Sequence, residues 1–531
     1  MKNKLKLIVL GLAITSFGIS CTDDFTELNT DPKNFTEDAV TSSEYGLFVK
    51  RALYTPNFMP FDQARGPFQL SQSLFADVYS NYFATTAPNF NSDQYELVGG
   101  WLNGAYRYFY QRAATNIKFS EDAAADLDFA LEGAMMKVWR VYAYHRITDY
   151  WGPIPYSQFG NGENEVPYDS QEAIYNDFFV TLDEAVAVLK ANAGGTSFLA
   201  GNDVIYGGDV DSWLKFANTL RLRLAMRVRY ADASLAQTNA EKAVADGVFL
   251  SNDDNATIDT NINFQNSYTT ITQWGEFRMS ADMESILKGY QDPRIASIAA
   301  PAGEPDPTDD PAGVPFPYEG MRNGQTAETK ATTNFNALAS NMAAPYTLGG
   351  DPGPTVRIMS SAEAYFLRAE GAMIGWNMGG SAADLYNQGI VENHVQLGYD
   401  GTNLSGDDYV TSTLTPASYD GTTPPVSTVP VAYNAAGSEE EQLEQIITQK
   451  WIALWPDSKE AYAERRRTGY PILYDRINTL NPDIPVTEIP RRMTYTATEY
   501  ADNNAQTLAA VANLLGGPDL GTTKLWWDKK N

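Results

Sequence analysis

The chain contains one cysteine, Cys21, and two histidines, His145 and His394, in 531 residues. A lone thiol excludes any disulfide within the chain, so stability must come from packing. Two histidines far apart, without a His-Glu-x-x-His pairing, do not form a zinc site. Positive charge is also scarce: 38 Lys and Arg face 66 Asp and Glu, a net charge of -28. Such a surface repels nucleic acid and anionic head groups, and nucleic acid is excluded as a partner. The acids are dispersed along the chain and read as solubility charge, not as a binding tail. Gly-x-Ser-x-Gly, P-loop and dinucleotide fingerprints are missing, and among 66 carboxylates no pair is marked for glycoside hydrolysis. The expectation is a binding protein, not an enzyme, with no cofactor and no metal. Oxygen-rich stretches at Asp209 to Asp211 and Asn252 to Asn255 lack full calcium-loop spacing and read as turns.

No apolar run after residue 20 is long enough to span a bilayer. The segment before it is different. Lys2, Lys4 and Lys6 precede an apolar run from Leu7 to Ile19; small residues, Gly18 and Ser20, stand before Cys21, with Thr22-Asp23-Asp24 beyond. This order predicts a lipoprotein signal over residues 1–20, lipidation of Cys21 and attachment to a membrane through that lipid anchor. Losing residues 1–20 removes three lysines and no acid, which moves the net charge from -28 to -31. Residues 21–40 read as a lipidated leader and spacer, with turn-forming Asn29 to Asn34 at its middle. Residues 41–531 read as a single domain, and 43% hydrophobic content suffices for a large core.

Apolar residues recur at helical spacing over Glu44 to Leu53, Phe68 to Phe83, Trp101 to Ile117, Asp126 to Trp151, Gln171 to Lys190 and Asp211 to Tyr230. The pattern continues over Gln237 to Asp246, Ala362 to Trp376, Ala382 to Gln396, Glu439 to Trp455 and Thr498 to Leu515. The fold class is mainly α. Small residues in Ala362 to Ala372 and Ala382 to Gly389 suit two closely packed helices, as in a tetratricopeptide unit. The expected architecture is a tetratricopeptide-like helical-repeat scaffold with long irregular loop insertions carrying the ligand site. Those insertions lie at Ala84 to Gly100, Gly247 to Arg278, Gln291 to Thr355 and Gly398 to Gly437.

Within this pattern stand His145-Arg-Ile-Thr-Asp-Tyr-Trp-Gly-Pro-Ile-Pro-Tyr156, Trp213 to Arg227, Tyr290-Gln-Asp-Pro-Arg294 and Ser361 to Glu370. Gln449-Lys-Trp-Ile-Ala-Leu-Trp455, Ile489-Pro-Arg-Arg-Met493 and the opening Leu28-Asn-Thr-Asp-Pro32 complete the set. Together, and in order, these segments resemble the SusD/RagB outer-membrane lipoproteins of Bacteroidota, in their SusD-like branch. The resemblance implies a surface-facing lipoprotein of the outer membrane on a tetratricopeptide-like scaffold. It also implies a SusC-like TonB-dependent transporter as partner, over which the protein closes as a lid, and a captured nutrient, commonly an oligosaccharide. Thr22-Asp23-Asp24 resembles the acidic export signal of such lipoproteins.

A sugar offers C–H faces that stack on aromatic rings and hydroxyls that need amide, carboxylate or guanidinium partners. Two places combine these on loops. One is Asn81, Tyr82, Phe90 and Asn91; the other is Gln273, Trp274 and Arg278, with Tyr318 and Arg322 further on. Trp274 stands out because Thr272, Gln273, Gly275 and Glu276 around it give no helical core stripe. A peptide is the alternative ligand in the same architecture; a surface glycoside hydrolase and a structural adapter are readings from other classes. Trp151 and Tyr156 read as scaffold, since Pro153 and Pro155 end the preceding helix. Arg221, Arg223, Arg227 and Arg229 are expected to pair with carboxylates of neighbouring helices, and His145 with Asp149, one turn apart, reads as a structural pair.

Overall fold

Seven long helices start where a short side chain caps them. Ser170, Asp209, Asp232, Ser280, Ser360, Ser381 and Ser438 each accept a hydrogen bond from the backbone N–H three residues on. The computed structural model describes residues 41–57, 65–311, 314–347, 351–399 and 409–530. Its longer helices are α1 Ser42–Tyr54, α2 Gly99–Tyr108, α3 Thr115–Asp126, α4 Ala130–Trp151, α5 Gln171–Ala191, α6 Val210–Arg227 and α7 Ala233–Asp246. They continue with α8 Ala281–Tyr290, α9 Ser361–Met373, α10 Ala382–Gln396, α11 Glu439–Leu454, α12 Ser458–Thr468 and α13 Asn504–Asn513. The seven caps therefore open α5 through α11. Gly46–Asn531 forms one compact unit. Cys21, the signal and the leader lie outside the described residues. Among the described residues, no helix is long and apolar enough to cross a membrane.

Consecutive helices pack as pairs, α4 with α5, α6 with α7 and α9 with α10, and α6 and α9 further contact α5 and α11. This is the tetratricopeptide-like scaffold expected from the sequence. Gly389 shows why small residues matter there: a Cβ at this position would lie 2.9 Å from the Phe366 ring of α9. Any side chain would force the pair apart.

The core of the scaffold is held by paired charges as well as by apolar contacts. Arg223 donates to both oxygens of Glu363 at 2.7 Å and 2.6 Å. Arg227 reaches Glu460 and Glu464, each at 2.6 Å, and Arg229 reaches Glu370 at 2.8 Å. Arg223 and Arg227 of α6, with Arg229 just beyond its end, thus tie it to α9 and α12, as expected of arginines in an acidic chain. Asp149 is occupied by Tyr175, by the Trp527 indole N–H and by Arg227. Burial and the Arg223 charge hold the His145 pKa well below its usual range. His145 and Asp149 each serve the scaffold through other partners, the His145 Nδ1 lying 3.3 Å from the Val141 carbonyl, and no hydrogen bond joins the two.

Three sequence expectations are corrected. The helix predicted over Phe68 to Phe83 is broken into Arg65–Phe68, a π-helical turn Gln69–Ser73 and Ala76–Tyr79, and ends in a strand at Phe83. Phe75, Val78, Tyr79 and Tyr82 are buried against several elements at once, so tertiary packing overrides the helical period, and Asn81 adopts a left-handed φ of 57°. The helix predicted from Asp126 begins only at Ala130, because Asp128 also sits at a left-handed φ of 57°. Helices α8 and α12 fall where none was predicted. In α12 the buried face includes Glu460, Glu464, Arg466 and Arg467, which a count of apolar residues does not register.

Two short antiparallel ribbons order the insertions. In the first, β1 Phe83–Thr85 pairs with β3 Phe277–Met279, setting Phe83 opposite Met279 and Thr85 opposite Phe277. In the second, β2 Ala256–Ile258 pairs with β4 Val356–Met359.

Candidate ligand-binding site

Residues 268–274 form one short helical stretch, Tyr268–Ile271 followed by a tighter turn Thr272–Trp274, which Gly275 ends at φ 68°. Glycine, lacking a Cβ, adopts that conformation at no steric cost. Tyr268 at one end is buried, and Trp274 at the other is 45% exposed. The stretch is fixed on both sides: Thr86 accepts no freedom, since its N–H donates to the Glu276 carbonyl at 2.8 Å and its hydroxyl to the Gly275 carbonyl at 2.6 Å. Gln69 donates to Glu276 at 2.7 Å, Thr272 to the Tyr346 carbonyl at 2.8 Å, and Gln273 to the Thr347 carbonyl. An exposed indole on an anchored turn is a platform whose rigidity limits the ordering entropy lost on binding.

Behind Tyr268 lies a chamber of about 210 Å³. Its aromatic walls are Phe68, Tyr268, Tyr346 and Trp455; its polar groups include Asn57, Gln72, Arg146, Asn266, Arg357, Gln396 and Asp457. Tyr346 packs edge-on against both Tyr268 and Trp455, with ring centroids 6.2 Å and 5.2 Å away. The second ribbon brings Thr257 and Arg357 to the same chamber. Rings with amides, a carboxylate and guanidinium groups around one cavity are what a saccharide unit requires. Tyr268, which lines the chamber, and Trp274 stand at opposite ends of the 268–274 stretch, which spans roughly 10 Å at helical rise.

Tyr268 is held by a buried acid. Its hydroxyl donates to Asp77 at 2.9 Å and accepts from Gln72 at 2.8 Å. Burial raises the Asp77 pKa from 3.8 to about 6, against the opposing hydrogen bonds from Ser458 and Tyr268. Between those values the folded state holds a proton that the unfolded chain has released. Stability from this group is therefore greatest in acid and is lost as pH rises through about 6. Asp77→Asn should flatten the decline in melting temperature between pH 4 and 7, removing a contribution of about 3 kcal/mol, and an unchanged slope would refute the assignment.

The sequence candidates separate into groups. Trp274 and Gln273 are exposed, as a contact role needs. Arg278 on β3 is only 8% exposed; it donates to its neighbour Phe277 and toward the Asn336 carbonyl, and burial lowers its pKa. Phe90 is buried between Trp101 and Phe277, at 5.5 Å and 5.9 Å, so it supports the platform from behind, while half-buried Asn91 donates to Glu96 at 2.9 Å. Asn81 and Tyr82 are corrections: both are fully buried, Asn81 donating to Asp282 at 2.8 Å and Tyr82 to the Trp451 carbonyl. They hold the entry into β1 and present no surface to a ligand. Tyr318 packs edge-on against Phe316, and Arg322 covers the Tyr474 ring at 4.7 Å while donating to the Asp475 carbonyl at 2.6 Å. These two engage other loops than the Trp274 turn.

Reasoning from sequence missed Tyr268, Tyr346, Trp455, Arg146 and Arg357. Tyr268 opens the stretch that Trp274 closes and could have been read with it; Arg357 and Arg146 carry no local signal. Among the described residues one carboxylate group, Glu284, Asp309 and Glu319, is close enough to share an ion, but the Lys288 ammonium already lies 2.6 Å from Glu284 and 2.8 Å from Asp309. Asp209 caps α6, and Asp254 takes Lys215 and two backbone N–H groups, which accounts for the oxygen-rich turns.

The family model for SusD-like proteins, described as SusD and RagB outer membrane lipoproteins, matches residues 27–528. The chain belongs to this family. SusD-like proteins are nutrient-binding lipoproteins of the outer membrane, binding proteins and not enzymes, and often take glycans. Solved structures agree with the assignment across almost the whole fold. A chitin-binding SusD homolog from Flavobacterium johnsoniae is 37% identical, with 91% of this chain and 99% of that one covered at a TM-score of 0.81. A SusD homolog from Bacteroides vulgatus is 32% identical, covering 92% and 98% at a TM-score of 0.83. Another, from Bacteroides thetaiotaomicron, is 30% identical, covering 92% and 99% at 0.79. No curated protein matches the chain. In this SusD-like chain the Trp151 to Tyr156 segment serves the scaffold: Trp151 donates to the Thr494 carbonyl at 3.1 Å, and the Tyr156 ring packs under Arg140 at 5.2 Å.

Proposed function

We propose that this SusD-like lipoprotein captures an oligosaccharide at the outer face of the outer membrane and passes it to a SusC-like TonB-dependent transporter. The observation that carries the reading is the anchored, exposed Trp274 indole at one end of a short helical stretch whose other end, Tyr268, lines a chamber of both rings and amides. Stacking on Trp274 would hold one sugar face while hydroxyls find Asn, Gln and charged partners nearby. The chitin-binding relative from Flavobacterium johnsoniae supports a sugar over a peptide. Lipidation at Cys21 would tether the protein, and the mature surface, strongly acidic, would remain clear of anionic head groups. The role is capture without turnover.

Titration of the full chain, purified in detergent, against matched panels of oligosaccharides and peptides tests this. A sugar should bind, and Trp274→Ala should weaken it roughly 5- to 150-fold with an unchanged melting temperature, since removing a stacked ring costs about 1–3 kcal/mol. Peptide binding alone, or sugar binding indifferent to Trp274, would sink the proposal.

A further inference from the structure

Arg357 differs from the arginines that stabilise the scaffold. Arg223, Arg227, Arg294 and Arg467 each bind at least one carboxylate within 2.7 Å. Arg357 donates to the neutral Gln396 side-chain oxygen at 2.9 Å and to the Trp455 carbonyl, and forms no ion pair among the described residues. A guanidinium has five N–H donors, so much of its capacity is left over on the side of the chamber it lines. The carboxylate that might have served it, Asp457, is engaged through both oxygens by Arg146 at 3.0 Å and 2.8 Å. Of the charged groups lining the chamber, Arg146 and Asp457 thus cancel and Arg357 remains. With two arginines against one aspartate, the lining carries a formal charge of +1 inside a protein of net charge -28.

We propose that this chamber receives the oxyanion of an acidic sugar, a carboxylate or sulfate, bound by Arg357, with the sugar ring against Tyr268, Tyr346 or Trp455. The proposal rests on the oligosaccharide reading above and specifies its ligand class. A planar guanidinium matches two oxyanion oxygens at once, and exclusion of water strengthens the contact. Burial works against the Arg357 charge and lowers its pKa despite Tyr346 and Asp457 nearby, so an incoming anion supplies compensation that the protein itself leaves short. A neutral sugar would leave the guanidinium as it is.

The test measures binding of three probes by the full chain in detergent: an oligogalacturonate, a sulfated carrageenan oligosaccharide and a neutral chito-oligosaccharide. One of the acidic probes should bind at least ~10-fold more tightly than the neutral one, and added salt should erode that preference. Which acidic probe prevails distinguishes carboxylate from sulfate. Arg357→Gln should abolish the preference and Arg357→Lys should restore part of it, both with the wild-type melting temperature. If the neutral probe binds as well as the acidic ones, or if the acidic preference survives Arg357→Gln, the inference is overturned while the oligosaccharide reading stands. If no saccharide of any kind binds, both fall.

Discussion

Replacing Arg467 by alanine should destabilise the protein by about 3–5 kcal/mol, seen as a large shift of the urea midpoint at pH 7. Arg467 is fully buried and donates to both oxygens of Glu370, each at 2.6 Å, and to Glu464 at 3.0 Å and 2.7 Å. Glu370 also receives Arg229, and Glu464 also receives Arg227 and Lys450. Burial works against both carboxylates, and Arg467 is the largest of the charges that hold their pKa values low. Its removal leaves two acids short of charge in a dry interior, which costs more than the pair itself contributes. Because the folded pKa values are depressed, this stabilisation is present at neutral pH and is lost as the solution is acidified below the usual carboxylate range. Adding Glu370→Gln to Arg467→Ala should recover part of the loss. A shift below ~1 kcal/mol for the single variant would mean that the network is not what joins α6, α9 and α12.

Trp451→Ala should cost a further large amount, about 3–5 kcal/mol, and should weaken ligand binding although the residue touches no ligand. Trp451 on α11 is 1% exposed, donates to the Ser80 carbonyl at 2.9 Å and packs on Tyr82 with centroids 4.9 Å apart. Tyr82 returns a hydrogen bond to the Trp451 carbonyl. These contacts fix the chain just before β1, and β1 in turn fixes Thr86 and the Trp274 turn through its ladder with β3. Truncation opens a cavity beneath that ladder. Thermal unfolding together with sugar titration reads both effects; a destabilised variant with undiminished affinity would show that the platform is held independently of α11.

The parts legible in the sequence share one property: their cause is local. Helical period and the small residues of α9 and α10 act within a few turns, so α5, α10 and α11 are predicted to within one residue at each end, whereas α7 begins four residues before the predicted Gln237, where Asp232 caps it. The α6 arginines are readable too, because buried Arg in an acidic chain must find carboxylates. Trp274 is visible as an aromatic residue without a core pattern around it. Where burial comes from several directions at once, the local signal fails. Tyr82 and Asn81 look like loop residues rich in binding chemistry, yet they are the most enclosed members of the set.

By itself the sequence determined the helical class, the bounds of the most periodic helices, the acidic surface and the membership in a lipoprotein family, because each depends on composition or on neighbours along the chain. The ligand chamber was decided only by tertiary structure. Gln72 meets Tyr268 across 196 positions, and Arg146 meets Asp457 across 311. Arg357 faces the cavity only because β4 pairs with β2. No periodicity reports such meetings, since the closure of long loops is settled by the packing of the whole core and not by any segment within it.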